Sequence, residues 1–378
     1  MFWRMTKKIE LQVLLKEIIN KYIVNYLDSY HIDISDNSYD DNLMVQEGNE
    51  IFLPNLDEAV NEIIGNRIFT LTYALDGSSR SFISSKGIVS LASVVVSSSL
   101  NPIIGVYPPI SGFPDLNLNK PFIALATSGS QGPLIPFFYN SEYVTTFSID
   151  GSFFTSTESP EEIETEIRTI LETEALKKIA EANAIILLDG PLIPPLIFLK
   201  SKVRNEILKI RLNTLKNNVI GVVKRLDKSK LLISAISKLK YKFVNIYKID
   251  PKKYFNDESF IIDLIKFNFS PPYKPISIGP ILRQIDNISV YVNYLVYPLH
   301  PYVPKFSILR IESLYNDPRI LDHLVSLKFT NDGIPITLAL ADRTAKEISA
   351  AMLKIIMATL ESLGLQASFY SKLEQVGV

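Results

Sequence analysis

The chain has 378 residues, of which 47% are hydrophobic and 21% charged, a balance typical of a folded globular protein rather than a disordered one. Acidic and basic residues nearly cancel to a formal net charge of −1, so the average charge indicates no particular partner. Cysteine is absent, which excludes disulfides, thiolate metal sites and thiol nucleophiles, and three scattered histidines are too few for a histidine-rich metal cage. We therefore expect a cytoplasmic protein in which any metal is bound mainly by oxygen.

Two elements are predicted ahead of the main domain. Residues 1–30 lack a secretory signal and carry apolar positions at helical spacing, which predicts an amphipathic helix that packs on the body or on a second subunit. Residues 31–66 begin with a run rich in Asp and Glu, which predicts a solvated linker or insertion. The stretch between Lys86 and Asp115 is uncharged, but serines and prolines interrupt it, so buried strands are expected there and no membrane span.

The main domain is placed at residues 67–378, and its first half alternates strand and helix signals. Three β-rich segments between residues 68 and 107 predict an antiparallel meander. Residues 112–151 show no clear period and predict an insertion of loops and short strands. Ser159-Pro160-Glu161 then predicts the start of a helix, and the apolar run AIILLDG predicts a buried strand that ends at Asp189. This order of three strands, a helix and a fourth strand indicates an α/β fold with a mixed sheet.

Two aspartates are associated with these strands. Asp76 is followed by Gly77, and this dipeptide alone is typical of a hairpin turn. Asp189 ends a buried strand, a position where ligands bind in α/β proteins, although a loop-start aspartate is an equal alternative. Since adjacent strands lie about 5 Å apart, the two carboxylates together could share divalent cations in the two-metal arrangement used for phosphodiester cleavage.

Further acids could complete such a site. Glu172 and Glu174 both lie on the predicted helix, and helical angles do not decide between them. Asp342 is placed at the start of a final amphipathic helix predicted over residues 344–363. There, ligation of a metal and a favourable interaction with the helix N-terminus are equal alternatives.

The balanced average conceals a strongly basic segment, residues 200–253, which contains sixteen Lys or Arg and three acids. It could hold a phosphodiester backbone beside the acids, although solvated helix faces are the more ordinary explanation. Lys224 is the specific candidate for a phosphate contact because it follows an apolar strand. The sequence contains no nucleotide-hydrolysing G-x-x-x-x-G-K motif and no zinc finger, so sequence-independent DNA binding is expected.

Several short motifs together resemble the NurA nucleases, archaeal and bacterial proteins with a ribonuclease-H-like core. The resemblance spans most of residues 67–350, through YALDGSSRS, LLDGPL, IGVVKRLDKS, NDESFIIDLI, VYVNYLV, FSILRIES and GIPITLALADRTA. It implies that Asp76, Glu172 and Asp189 bind catalytic manganese or magnesium, with two ions expected. The family spacing to the fourth-strand acid favours Glu172 over Glu174. Lys224 and Asp342 complete the predicted catalytic set.

The resemblance also implies an activity and partners. These are 5′-3′ exonuclease and single-strand endonuclease activity in DNA end resection and recombinational repair, a homodimer, and the hexameric ATPase HerA as translocating partner. The sequence departs from the family at Asp342, where several members have a histidine, and the family tyrosine could be Tyr291, Tyr294 or Tyr297. An inactive or weakened DNA-binding paralogue of the same fold is therefore the alternative function.

Overall fold

The structure, a computed structural model, describes residues 11–23, 51–53, 55–56, 58–65, 70–84, 87–127, 141–155, 157–196, 199–285 and 288–362. Its helices are α1 (Leu11–Ile18), continued by a π-helical turn (Ile19–Ile23), α2 (Pro160–Ile179), α3 (Ser201–Thr214), α4 (Leu231–Ser237), α5 (Lys240–Tyr247), α6 (Asp257–Asn268), α7 (Pro318–Ser326) and α8 (Ile336–Ser362), with a short 3-10 helix (Pro251–Lys253) after α5. Its strands are β1 (Ile51–Phe52), β2 (Val60–Glu62), β3 (Thr72–Ser84), β4 (Gly87–Ser98), β5 (Ile103–Tyr107), β6 (Ile123–Thr127), β7 (Val144–Thr145), β8 (Ile185–Asp189), β9 (Val219–Val223), β10 (Ile276–Ile285), β11 (Ile288–Pro298) and β12 (Phe306–Ser313).

All strands of the described ranges belong to one mixed sheet, in the order β1-β10-β11-β12-β9-β8-β3-β4-β6-β7, with β2 also paired to β10 and β5 to β4. The central strands β3, β8 and β9 run parallel to one another, whereas β4 is antiparallel to β3 and β12 is antiparallel to β9. Parallel neighbours need a crossover connection, and α2 and α3 lie in the connections between these three strands. The carboxyl ends of β8 and β9 therefore meet at one edge.

Local sequence explains why α2 begins where it does. The Ser159 side chain accepts a hydrogen bond from the backbone N–H of Glu162, and Pro160 occupies the first helical turn, where its missing N–H is not needed. Glu161 and Glu162 lie near the positive end of the helix dipole. The predicted start of this helix is confirmed, and it ends at Ile179.

Helices cover both faces of the β3–β4 pair. Along β3 successive side chains point to opposite faces, so that Ser79 donates a hydrogen bond to Glu164 of α2, whereas Ser78 is hydrogen-bonded to Ser349 of α8. β4 is buried along its whole length, which confirms that the uncharged stretch forms buried strands. In the described part of the chain no helix is long and apolar enough to cross a membrane.

The predicted meander exists, with one correction. β3, β4 and β5 are consecutive antiparallel strands, but β5 pairs only with residues 94–97 of β4. β6 pairs with residues 87–91 of β4, so two strands share the third position of the meander. β6 and β7 lie within residues 112–151, so this predicted insertion contributes strands to the central sheet. The apolar run Phe122–Ala126, which includes most of β6, is buried there. Residues 128–140 lie outside the described residues.

The two N-terminal predictions fall only partly on described residues. Within residues 1–30, α1 buries Leu11, Leu14, Leu15 and Ile18 and contacts α8, so the described part of this segment packs on the body. Within the predicted linker 31–66, residues 31–50 lie outside the described residues. Its later part departs from a linker, because β1 and β2 both pair with β10 and so extend the sheet.

The final helix begins earlier than predicted, at Ile336 instead of residue 344. The intervening residues include the β-branched Ile336 and Thr337, which favour strands in isolation, and the sequence pattern therefore concealed the first two turns. Asp342 consequently lies inside α8, beyond the first turn, where the helix dipole is weak. The explanation of Asp342 as an acid at the helix N-terminus is wrong.

Candidate metal centre

Strand register brings Asp76 and Asp189 together. The last paired residues of the parallel strands β3 and β8 are Leu75 and Leu188, and each aspartate is the next residue along its strand. Asp189 ends β8 as predicted, but Asp76 does not lie in a hairpin turn or at a strand end. It lies within β3, which pairs with β4 from Tyr73 to Ser84, and that long pairing outweighs the local turn preference of Asp-Gly.

A third aspartate reaches the same point from α8. Carboxylate oxygens of Asp76, Asp189 and Asp342 all lie within 4.8 Å of one another, and we call these three residues the carboxylate cluster. Asp76 is 7% exposed, and Asp189 and Asp342 are partly buried. Two adjacent strands and a helix packed on one face of the sheet therefore position one ligand each.

Two lysines neutralise part of this charge. Lys224, the residue after β9, places its Nζ 2.5 Å from Asp189 Oδ2 and 3.2 Å from Asp342 Oδ2. Lys346, one turn after Asp342 on α8, places its Nζ 2.6 Å from Asp342 Oδ1. The prediction that Lys224 follows a buried strand is confirmed, and its ammonium group contacts the cluster directly.

The pKa shifts follow from burial and mutual repulsion. Burial, then the charges of Asp189 and Glu172, raise the pKa of Asp76 well above its ordinary value, and its hydrogen bond with Asp342 acts in the same direction. Burial also raises the pKa of Asp189, although Lys224 opposes the shift. Burial opposes the shift of Asp342, but hydrogen bonds with Lys346 and Asp76 outweigh it and lower the pKa of this carboxyl. The cluster therefore carries more negative charge than the two lysines can stabilise.

Glu172 lies beside the cluster but has its own cationic partners. It is buried, its Oε2 lies 3.3 Å from Arg211 Nη2, and its Oε1 lies 3.8 Å from Arg168 Nε. Gly77 is needed for this approach, because a Cβ at that position would lie 2.7 Å from Glu172 Oε1. Glu174, the alternative candidate, instead faces Lys120 at 3.5 Å. Of the two glutamates only Glu172 lines the site, and it is not one of the three clustered acids.

The cluster lies in a cleft of about 1300 Å³. It is lined by residues of β3, α2 and α8. The loops after β8 and β9 close it next to Asp189 and Lys224. We call this space the cleft. All five residues of the predicted catalytic set line it: Asp76, Glu172, Asp189, Lys224 and Asp342.

Little of the basic segment 200–253 reaches the cleft. Its basic residues there are Arg211, Lys224 and Arg225. Others form ion pairs elsewhere, such as Lys200 with Glu158 and Lys240 with Asp250. Arg80, Arg168 and Lys346, which lie outside the segment, also line the cleft. The cations beside the cluster therefore come from several elements rather than from one basic stretch.

None of the three candidate tyrosines lines the cleft in the described residues. Tyr294 is buried and donates a 2.6 Å hydrogen bond to Asp257 Oδ2. Burial, then the nearby charge of Asp257, raises the pKa of Tyr294 well above its ordinary value. Tyr297 stacks on Phe329, with ring centroids 4.1 Å apart, and Tyr291 is paired within the sheet.

Sequence reasoning missed the arginines of the cleft. Arg80 lies four residues after Asp76 on β3, so alternation places both side chains on the same face of that strand. Counting by twos from Asp76 would have found it. Arg211 gives no such signal. It contacts Glu172 of another helix, and the two residues are 39 positions apart in the sequence.

The donor set of the cluster suits a hard divalent cation. Carboxylate oxygens are the ligands that magnesium and manganese prefer in proteins. A bound cation would also relieve the repulsion that raises the pKa of Asp76. Asp76, Asp189 and Asp342 are therefore the residues that could hold a metal, with Glu172 next to them on the α2 side.

The fold and site define an α/β protein in which a cluster of carboxylates that could hold a metal lies at the edge of parallel strands. A family model described as NurA domain matches residues 70–347, and the chain belongs to the NurA family. No curated protein matches the chain in sequence.

Three solved structures of similar proteins are called NurA. The crystal structure of the NurA nuclease from Sulfolobus solfataricus is 14% identical with a TM-score of 0.47, and the match covers 96% of this chain and 98% of that chain. NurA with manganese is 12% identical, with a TM-score of 0.37 and coverage of 93% and 96%. NurA bound to dAMP and manganese is 10% identical, with a TM-score of 0.36 and coverage of 88% and 91%.

Proposed function

We propose that the protein is a metal-dependent DNA nuclease, with 5′-3′ exonuclease and single-strand endonuclease activity. The observation that carries the proposal is the carboxylate cluster, in which three acids from two strands and a helix lie within 4.8 Å of one another in an open cleft. Membership of the NurA family supports the same activity. In the strand order β5-β4-β3-β8-β9, β4 is antiparallel to β3, whereas β3, β8 and β9 are parallel to one another. This arrangement supports a ribonuclease-H-like core.

The residues of the site divide the work between them. Asp76, Asp189 and Asp342 would hold manganese or magnesium, and two such ions would supply an activated water and stabilisation of the leaving oxygen. Lys224 contacts Asp189 and Asp342, so its ammonium group lies next to the position of the scissile phosphate and can neutralise charge there. Glu172 is held by Arg211 and would add negative charge beside bound ions. We retain it as a ligand candidate because it lines the same cleft.

The family also suggests how the nuclease works in the cell. We propose a homodimer that acts with a hexameric HerA-type ATPase in DNA end resection, because the sequence carries no G-x-x-x-x-G-K motif to drive translocation itself. Sedimentation of the pure protein tests the dimer. Stimulation of duplex resection by an ATPase of that class tests the partnership.

A cleavage assay tests the activity itself. Wild-type protein is incubated with supercoiled plasmid and with oligonucleotides labelled at either end, with Mn²⁺, Mg²⁺ or EDTA. We expect cleavage with the metals, none with EDTA, and none from Asp189→Asn, which keeps the shape of the side chain but removes its charge. Asp263→Asn is the matched control, since Asp263 bonds to Tyr254 outside the cleft.

The outcomes separate the nuclease from its alternative. Cleavage by Asp189→Asn at the wild-type rate would remove the cluster from the mechanism. Metal-independent binding of DNA without cleavage under every condition would instead identify an inactive DNA-binding paralogue.

A further inference from the structure

β3 continues well past the carboxylate cluster, and its second edge is open there. β8 pairs with β3 only from Thr72 to Leu75, whereas β4 pairs with it to Ser84. Among the described residues no strand covers the other edge of residues 76–84. An open strand edge presents backbone N–H and C=O groups to whatever occupies the space beside it.

This edge lies inside the cleft rather than on an outer surface. Residues 76–81 of β3 line the cleft together with α2 on one side and α8 on the other. The side chains that point toward α8 are Asp76, Ser78 and Arg80, and both Ser78 and Arg80 are hydrogen-bonded to Ser349.

The cleft has equal numbers of cationic and acidic side chains, but not every cation is paired with an acid. Six cationic and six acidic side chains line it. Arg168, Arg211, Lys224 and Lys346 each contact an acid of the cleft. Arg80 and the exposed Arg225 form no ion pair with any described residue, and Arg80 differs from Arg225 because it is partly buried and its Nε donates to the Ser349 hydroxyl at 3.3 Å. Arg80 is thus a partly buried cation whose charge is not paired with an acid among the described residues.

We propose that the open edge of β3 is the floor of a subsite for one extended strand of nucleic acid, in which Arg80 binds a backbone phosphate. This inference rests on the proposed nuclease function and names the strand edge and a residue that bind the substrate. Four residues separate Arg80 from Asp76 on the same face of β3, which corresponds to roughly 13 Å. Arg80 therefore contacts a phosphate further along the strand than the scissile one.

The open edge fits one extended strand rather than a duplex, because a strand edge accepts a single extended chain beside it. A peptide strand could also pair with an open edge, but it would leave the charge of Arg80 unpaired beside its backbone. A phosphodiester backbone satisfies both the edge donors and the arginine.

Fluorescence anisotropy with a labelled oligothymidylate tests the subsite. Binding is measured with Ca²⁺ at several salt concentrations, for wild type, Arg80→Ala, Arg80→Gln and the control Lys252→Ala, an exposed lysine outside the cleft. We expect both Arg80 variants to bind about tenfold more weakly, since a hydrogen bond to a charged group is lost. Their log–log salt slope should fall by about 0.7, the value for one phosphate contact on a single strand.

Two comparisons make the result specific. Binding to a blunt duplex of equal length should change little in the Arg80 variants, and Lys252→Ala should change neither ligand. Unchanged single-strand affinity and slope in Arg80→Gln, with an unchanged melting temperature, would overturn the subsite. Equal losses on single strand and duplex would overturn its selectivity for one strand.

Cleavage by the same proteins separates the two proposals. If wild type cleaves DNA with Mn²⁺ while the Arg80 variants bind and cleave as wild type does, the nuclease stands and the subsite is wrong. If wild type never cleaves but binds single strands through Arg80, the subsite stands and the nuclease is wrong.

Discussion

Asp76 and Asp257 are both buried acids, but their surroundings are opposite. Asp257 accepts hydrogen bonds from the hydroxyls of Ser229 and Tyr294, each at 2.6 Å, and from the backbone N–H groups of Leu232 and Ile233 at the start of α4. Neutral donors therefore satisfy both of its oxygens. The hydrogen-bond partner of Asp76 is another carboxyl, that of Asp342, and its neighbours include two further acids.

The difference separates an acid that stabilises the fold from one that serves a ligand. A buried carboxylate with several donors is stabilised within the protein, and losing it leaves those donors unpaired. A buried carboxylate among other acids is stabilised only by protonation or by a cation. We therefore expect substitutions of Asp76 to affect activity and those of Asp257 to affect stability.

Asp76→Asn should give the largest effect on activity. Removal of one central ligand should lower metal-dependent cleavage by about 1000-fold or more, since electrostatic stabilisation by such groups contributes several kcal/mol. The free energy of unfolding without metal should stay equal or rise, because one of the repelling charges is lost. Single-turnover cleavage and urea unfolding measure the two quantities. A large loss of metal-free stability would contradict the assignment.

Asp257→Asn should show the reverse pattern. An asparagine offers one acceptor oxygen where four donors now converge, and its NH₂ group faces donors, so unfolding should become easier by about 3 kcal/mol. Urea unfolding measures the change, and Asp317→Asn on the exposed start of α7 is the control with little expected effect. Folded Asp257→Asn should retain most of its cleavage rate per molecule. Loss of cleavage with full stability would break the comparison.

Sequence predicted the parts of this arrangement that depend on neighbouring residues. The start of α2 follows from Ser159-Pro160, and the end of β8 at Asp189 follows from a short apolar run. Prediction from neighbouring residues fails where a contact with a distant part of the chain determines the structure. The Asp-Gly dipeptide of β3 is typical of a turn, but β3 pairs with β4 along its full length, and this pairing is a tertiary contact that the local sequence does not reveal. The open edge beside Arg80 exists only because β8 ends before β3 does, which no local pattern encodes.

The carboxylate cluster depends both on features that the sequence predicts and on tertiary packing. Asp76 and Asp189 were predicted to lie together because adjacent strand positions follow from the element order. Asp342 joins them through the packing of α8, and Glu172 turns to Arg211 of α3. Which acids share a cation is therefore decided by helix packing, while the place where they meet is decided by the strands.

Glu166 is intermediate between Asp76 and Asp257, and it makes the stability of the protein depend on pH. It accepts hydrogen bonds from Ser148 Oγ at 2.8 Å and from the backbone N–H of Ile149 at 2.7 Å, yet burial raises the pKa of this carboxyl to about 7. Because the folded-state pKa exceeds the unfolded value, the folded state binds the proton more tightly. Stability should therefore fall as the pH rises from about 4.5 to 7 and stay level above that.

Glu166→Gln should remove this dependence. The variant should be more stable than wild type by about 2 kcal/mol at pH 8 and about equal to it at pH 5. Urea unfolding at both pH values measures the difference, and Glu164→Gln, on the same helix but partly exposed, is the control. A constant difference across this range would mean that Glu166 is ionised throughout.

Lys224→Ala should give the smallest effect, on metal affinity. The Lys224 ammonium contacts Asp189 and Asp342, two of the three acids that would hold a cation, so it competes with the ion for their charge. Its removal should tighten Mn²⁺ binding by about fivefold, because the repulsion between two cations at close range is partly screened at this half-open site. Calorimetric titration with Mn²⁺ measures the change.

Arg225→Ala is the matched control for that titration, because Arg225 also lines the cleft but forms no ion pair with a described residue. Its Mn²⁺ affinity should equal that of wild type. Cleavage by Lys224→Ala should nevertheless fall, since the same ammonium neutralises the phosphate. Tighter metal binding together with slower cleavage would distinguish a group that acts on the substrate from one that only holds the acids in place. Weaker metal binding would show instead that Lys224 organises the cluster, because its contacts then bring Asp189 and Asp342 into the geometry that the ion requires.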